Sequence, residues 1–422
     1  MTFRGSARFF RLVFSRKGIL ILSLCAALFP RSFAMPDCGV CAMGSLRAAS
    51  APSISALGEK KILYIRINYS DDPAEPISTA AAANLMAEVS LFYRTHSNGR
   101  CTTAATITPV VTMPLPKSSY FIRETDGNIT WYAYTVLGHA REAARAAGFD
   151  YRDYDLDIIR FNAPFLQSWG NIGARGAWLV TSHPATTIHE IGHNLGLNHA
   201  NFWNGANIEY GDVYDIMGNP GYYQRAGFNT INKTTLGWLD PSHEKRVTAS
   251  GVYRLYAQDT NQPASDRTYV LRVRKDDERN YWIEKRQNFD FSDDMEFSGV
   301  LLYWDHWSQS NSGTHLLDPV TAPGYALPIS TPFADPAAAV RIVPLRQSAD
   351  RAYVDLAVIL GDAKLNILPG LLHFAGEPAQ SYSIESSADL QNWNSVTLTN
   401  SPSGDLFVPI DTGASHRFYR VR

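Results

Sequence analysis

Cysteine is scarce: four residues in 422, too few to staple a small scaffold. Cys25 lies in an apolar leader and lacks the small preceding residue that lipid attachment needs. Cys38, Cys41 and Cys101 are left, an odd number that leaves at least one thiol unpaired. A single Cys-x-x-Cys, with no second one, rules out a structural zinc ribbon. Charge of either sign is also short, with 38 basic and 40 acidic residues and a formal net charge of −2. Such a chain has no electrostatic reason to bind nucleic acid or an anionic membrane. No apolar run reaches the ~20 residues that a spanning helix needs. Low-complexity tracts and fixed-period repeats are missing too. What remains is an ordinary globular composition, 45% hydrophobic, with aromatics at 12% that suit packed β-sheets.

The first 34 residues read as an export signal. Arg4, Arg8, Arg11, Arg16 and Lys17 precede an apolar run from Gly18 to Phe29, and Pro30, Ser32 and Ala34 follow. Loss of this leader, which holds six basic and no acidic residues, shifts the formal charge from −2 to −8. The chain is therefore expected outside the cell, with no membrane span in the mature product.

Residues 35–58 read as a linker or short pro-segment. From 59 to 242 strands and helices alternate. Strands are expected at 61–68, 104–112, 155–161 and 173–181, and helices at 79–96, 130–147 and 183–195. Short strand-like runs fill 243–362, an all-β pattern, and residues 363–422 form a further small β-module. The fold class expected is α+β followed by all-β units.

One stretch carries chemistry: His189-Glu190-Ile191-Gly192-His193-Asn194-Leu195-Gly196-Leu197-Asn198-His199. On a helix, His189 and His193 project from one face and offer two imidazoles to one metal. Glu190, rotated by ~100° from His189, can stand beside that metal without ligating it. Gly196 permits the turn that returns His199 as a third ligand. Three histidines leave a fourth position open, as in catalytic rather than structural zinc. The zinc would activate water, with Glu190 as general base.

Downstream, Tyr210-Gly211-Asp212-Val213-Tyr214-Asp215-Ile216-Met217-Gly218 completes a pattern that resembles the metzincin clan of zinc peptidases. Ala200 after the third histidine, with the Tyr-Gly-Asp and Ile-Met-Gly segments, resembles the gametolysin family within it. That resemblance implies a twisted mixed sheet plus an active-site helix, a cleft holding one zinc, and protein or peptide substrates. It also implies that Met217 forms an apolar floor under the metal. Asn219 stands where some clan members place a tyrosine near the metal, and Tyr222 and Tyr223 are the nearby substitutes. A substrate strand would pair with an edge strand, for which Gly173–Val180 is the candidate.

Lesser signals are Cys38, similar to the cysteine switch of related peptidases, and Asp290, Asp293, Asp294 and Glu296, an acidic loop that calcium could occupy. The last module resembles the small β-units that close many exported bacterial proteins, where they meet a surface or sorting partner. The expected function is a secreted zinc metalloendopeptidase. Its rivals are a zinc hydrolase of non-peptide amides or esters and a non-catalytic binding protein on the same fold.

Overall fold

Side-chain alternation along one strand organises the first half of the molecule. In β1 (Gly58–Asn68), Ile62 and Tyr64 enter one core while Leu63, Ile65 and Ile67 enter another. The computed structural model describes residues 54–219, 226–260, 263–287, 298–305, 313–320, 325–361, 364–410 and 417–422. The leader, Cys38, Cys41, Tyr222, Tyr223 and the acidic loop from Asp290 to Glu296 lie outside the described residues. None of the described helices is long and apolar enough to cross a membrane.

Helix α1 (Thr79–His96) follows, capped by Ser78, whose Oγ accepts from the Ala81 N–H at 3.2 Å. Ala82, Leu85, Met86, Val89, Phe92 and Tyr93 recur at helical spacing and form its buried stripe. Then come β2 (Cys101–Thr112), the hairpin β3 (Phe121–Arg123) and β4 (Ile129–Trp131), and α2 (Ala133–Ala146). Strands β5 (Leu156–Arg160), β6 (Trp169–Gly170) and β7 (Ala177–Leu179) lead to α3 (Pro184–Asn194).

The first sheet runs β2-β1-β5-β7-β6, parallel except for β6, which is antiparallel to β7. Residues of α1 and α3 pack on one face, and α2 with the β3–β4 hairpin packs on the other. One expectation is corrected here. Gly173–Val180 is not an edge strand, because β7 pairs with β5 on one side and β6 on the other. The chain before it folds back antiparallel, so Trp169–Gly170 takes the edge.

Two short strands, β8 (Ala200–Trp203) and β9 (Asn207–Ile208), and α4 (Thr230–Thr235) precede the β-rich half. Beyond them lie β10 (Glu244–Val247), β11 (Gly251–Tyr256), β12 (Val270–Arg274), β13 (Asn280–Glu284), β14 (Leu301–Trp304) and β15 (Thr314–Leu317). A seven-stranded sheet runs β10-β12-β13-β14-β15-β8-β9. It crosses the expected 242/243 boundary, since β15 pairs in parallel with β8, Thr314 opposite Ala200. One face packs on a second sheet, β11-β18-β17-β16, built with β16 (Phe333–Asp335), β17 (Val340–Gln347) and β18 (Tyr353–Leu360). The other face, carrying Phe202, Val270, Trp282, Leu301 and Tyr303, packs on Tyr214 and Ile231.

The last module has β19 (Leu365–Leu368), β20 (Leu371–Ala375), β21 (Ser381–Ser387), β22 (Asn394–Asn400), β23 (Asp405–Pro409) and β24 (Phe418–Val421). Its sheets, β19-β20-β23 and β22-β21-β24, share a small core of Leu372, Ile384 and Val408. Asp405 ties the module to the body through an ion pair with Arg341 of β17.

Candidate metal centre

Helix α3 opens with Pro184 at its first turn, a position that needs no N–H donor. Every residue from Thr187 to Asn194 is buried, so the helix runs through the core rather than over it. Tyr93 of α1 donates its hydroxyl to the Ile188 carbonyl at 2.7 Å and fixes the two helices together. Gly196 takes a left-handed φ of 101°, and its N–H reaches the His193 carbonyl at 2.8 Å. That turn ends the helix and brings His199 back.

The three histidines converge as their spacing implies. Ring centroids stand 4.7 Å apart for His189–His193, 4.9 Å for His193–His199 and 5.4 Å for His189–His199. One nitrogen from each lies within 4.8 Å of the other two, close enough to hold one metal ion. Nδ1 of His189 faces the Ile216 carbonyl at 2.9 Å, and Nδ1 of His193 faces the Leu197 carbonyl at 2.8 Å. Carbonyls only accept, so both Nδ1 atoms carry the proton and both Nε2 atoms present lone pairs. His199 Nδ1 lies 2.6 Å from the Glu209 carboxylate, and its Nε2 is buried with no hydrogen-bond partner. A buried lone pair with no donor facing it is the mark of a missing ligand.

Burial keeps the rings neutral. It lowers His189 to about 4, and burial with the nearby His189 charge lowers His193 to about 3. His199 is lowered further, by burial and by both neighbouring rings. A neutral imidazole is the form that ligates a metal.

Glu190 is buried on α3 at 5% exposure, directly after His189. Strand β6 lies against the helix at this point: a Cβ at Gly170 would stand 2.3 Å from the Glu190 carbonyl oxygen. Met217 is fully buried beneath the helix, and a Cβ at Gly192 would stand 2.4 Å from its Sδ. The carbonyl of Met217 accepts the N–H of Ala200, the residue after His199, at 2.9 Å. Asn219, next along, donates its N–H to the Asp212 carbonyl at 3.0 Å.

A buried polar network supports the segment that carries Met217. Asp215 accepts from the N–H groups of Met217 (2.7 Å) and Asn229 (2.7 Å) and from the Asn232 amide (2.8 Å). Arg286, just after β13, pairs with Glu284 at 2.7 Å and reaches the Tyr214 carbonyl at 3.2 Å. Burial, with the Asp215 charge, pushes Asp212 well above the usual carboxylate range. Burial raises Asp215 as well, to about 6, against the hydrogen bonds it accepts from Asn229, Met217 and Asn232.

Sequence reasoning missed Glu209, Gly170 and Gly313, and gave Gly192 and Tyr210, both within its motifs, no role. All five touch the site. Gly313, just before β15, is so close that a Cβ there would stand 2.0 Å from the His199 carbonyl oxygen.

A helix and turn that gather three buried imidazoles beside a buried glutamate form a site that could hold one metal ion. Residues 89–289 match the family model of the gametolysin peptidases, M11, so this span of the chain is similar to that family. No curated protein matches the chain.

Proposed function

We propose that the protein is an exported zinc endopeptidase with the metzincin arrangement, acting on proteins outside the cell. One observation carries the reading. All three Nδ1 atoms face oxygen acceptors, which leaves three Nε2 lone pairs converging, with that of His199 buried and unpartnered. Three neutral nitrogens with a fourth position open suit zinc in a catalytic role. His189, His193 and His199 would hold it. Zinc there supplies a Lewis acid and acidifies water to a pKa of ~7.

The chain's own residues do the rest. Glu190 takes the proton from the attacking water and returns it to the leaving amine. Met217 and Gly192 fill the space under the helix, which fixes the spacing of His189 and His193 and keeps water from below. An extended substrate adds along the sheet edge next to α3, which is β6 at Trp169–Gly170. Export follows from the basic and apolar leader, and the terminal module serves a surface or sorting partner.

Replacing Glu190 separates this reading from a binding protein. The variant Glu190→Ala is expected to lose protein hydrolysis by about a thousandfold or more, at unchanged zinc content. Retained hydrolysis would remove Glu190 from the mechanism. Cleavage of esters or small amides, with none of casein or peptides, would favour a non-peptide hydrolase.

A further inference from the structure

We propose that Glu209 is the positioning residue of the metal centre, delivered by the β8–β9 hairpin to hold His199 in its metal-ligating tautomer; this rests on the zinc reading above. The three ligands are not oriented alike. His189 and His193 lean on backbone carbonyls, Ile216 and Leu197. His199 leans on a side chain, the Glu209 carboxylate at 2.6 Å. A carboxylate on Nδ1–H fixes the tautomer, sets the ring plane and raises the basicity of Nε2. Because it meets the Nδ1 edge, Glu209 is directed away from the metal that Nε2 faces.

The hairpin is built for this delivery. Strand β8 begins directly after His199 and β9 returns antiparallel, Phe202 opposite Ile208. Glu209 therefore comes back alongside the histidine that started the turn. Tyr210 holds the return in place. Its N–H donates to Asn201 Oδ1 at 3.1 Å, and its backbone sits at a φ of 59°, a region that a bulky side chain rarely occupies. Its ring stacks on His199, centroids 3.9 Å apart at 36°, and covers one face of the imidazole. Gly211 closes the hairpin tightly, since a Cβ there would stand 2.5 Å from that of Phe202. Strain at Tyr210 and tight closure at Gly211 fix where Glu209 points. Glu209 itself is about half exposed, with 48% of its side chain accessible, so the fold does not need it as a packing element.

The test is zinc affinity of the full protein, measured by competition with a chromophoric chelator for wild type, Glu209→Ala and Glu209→Gln. The alanine variant is expected to bind zinc about 10- to 100-fold more weakly. Glutamine still accepts from Nδ1–H, so it should recover most of that loss. The absorption spectrum of the cobalt-substituted protein should change in the alanine variant and return toward wild type with glutamine. Glu209→Ala binding zinc as tightly as wild type overturns the inference. So does a glutamine variant as weak as alanine whose metal-free urea midpoint has dropped with it, since that marks a structural role. A wild-type chain that takes up no zinc overturns the metal centre itself, an outcome distinct from the failure of Glu209 alone.

Discussion

Three imidazoles that must stay neutral at the centre of a core make the site sensitive to acid. In the unfolded chain each histidine takes a proton near pH 6.5, whereas His189 in the fold resists until about 4 and His193 until about 3. The unfolded state therefore binds more protons over that window. Stability of the metal-free protein is fully present above pH 6.5 and is lost as the pH falls. The expected loss is on the order of 3 kcal/mol from His189 alone between pH 7 and 4. Urea unfolding of metal-free protein across this range checks it; a profile that His189→Gln leaves unchanged would contradict the assignment. At this scale the sequence was most readable. A period of 3.6 residues and one glycine suffice to place His189, Glu190, His193 and His199. Glu209 was unreadable, because its return to His199 depends on a hairpin and on left-handed backbone at Tyr210, which no spacing announces.

Among elements, close approaches decide what can change. Three glycines let backbone meet backbone or sulfur around α3: Gly170 against Glu190, Gly313 against His199, and Gly192 against Met217. The Gly192 contact ends on a flexible thioether, whereas the other two meet carbonyl oxygens that cannot yield. Gly170→Ala and Gly313→Ala are each expected to destabilise by about 1–3 kcal/mol and to weaken zinc binding. Gly138 in α2 has open space around it, and Gly138→Ala should stabilise by about 0.5–1 kcal/mol. Thermal melts of the three variants check this, and equal effects at all three positions would contradict it. Long amphipathic elements were readable, with α1 found at Thr79–His96 as its apolar spacing indicated. The edge of the first sheet was not, because β6 has only two residues, Trp169 and Gly170, and carries no alternation to detect.

At the scale of the whole molecule, the histidine-bearing segment and the β-rich segment are interleaved. Strands β8 and β9 complete a sheet whose other five strands come from beyond residue 243, while Arg286 reaches back to the Tyr214 carbonyl and Glu284 to the N–H of Thr230. A boundary at 242 followed composition, which changes there, while the pairing of β15 with β8 spans more than a hundred residues and leaves no local trace. A chain ending at 242 is expected neither to unfold cooperatively nor to hold zinc, whereas one lacking only residues 363–422 should keep both properties. Circular dichroism melts with metal analysis read this out; a well-folded, zinc-bound 59–242 fragment would contradict it. If three histidines and Glu190 form a zinc peptidase, hydrolysis of casein by the purified protein depends on its metal. Chelation is expected to abolish hydrolysis, and about one equivalent of zinc per chain to restore it. Hydrolysis that survives complete metal removal, or a zinc-loaded protein that cleaves no peptide bond, would contradict the zinc-peptidase reading.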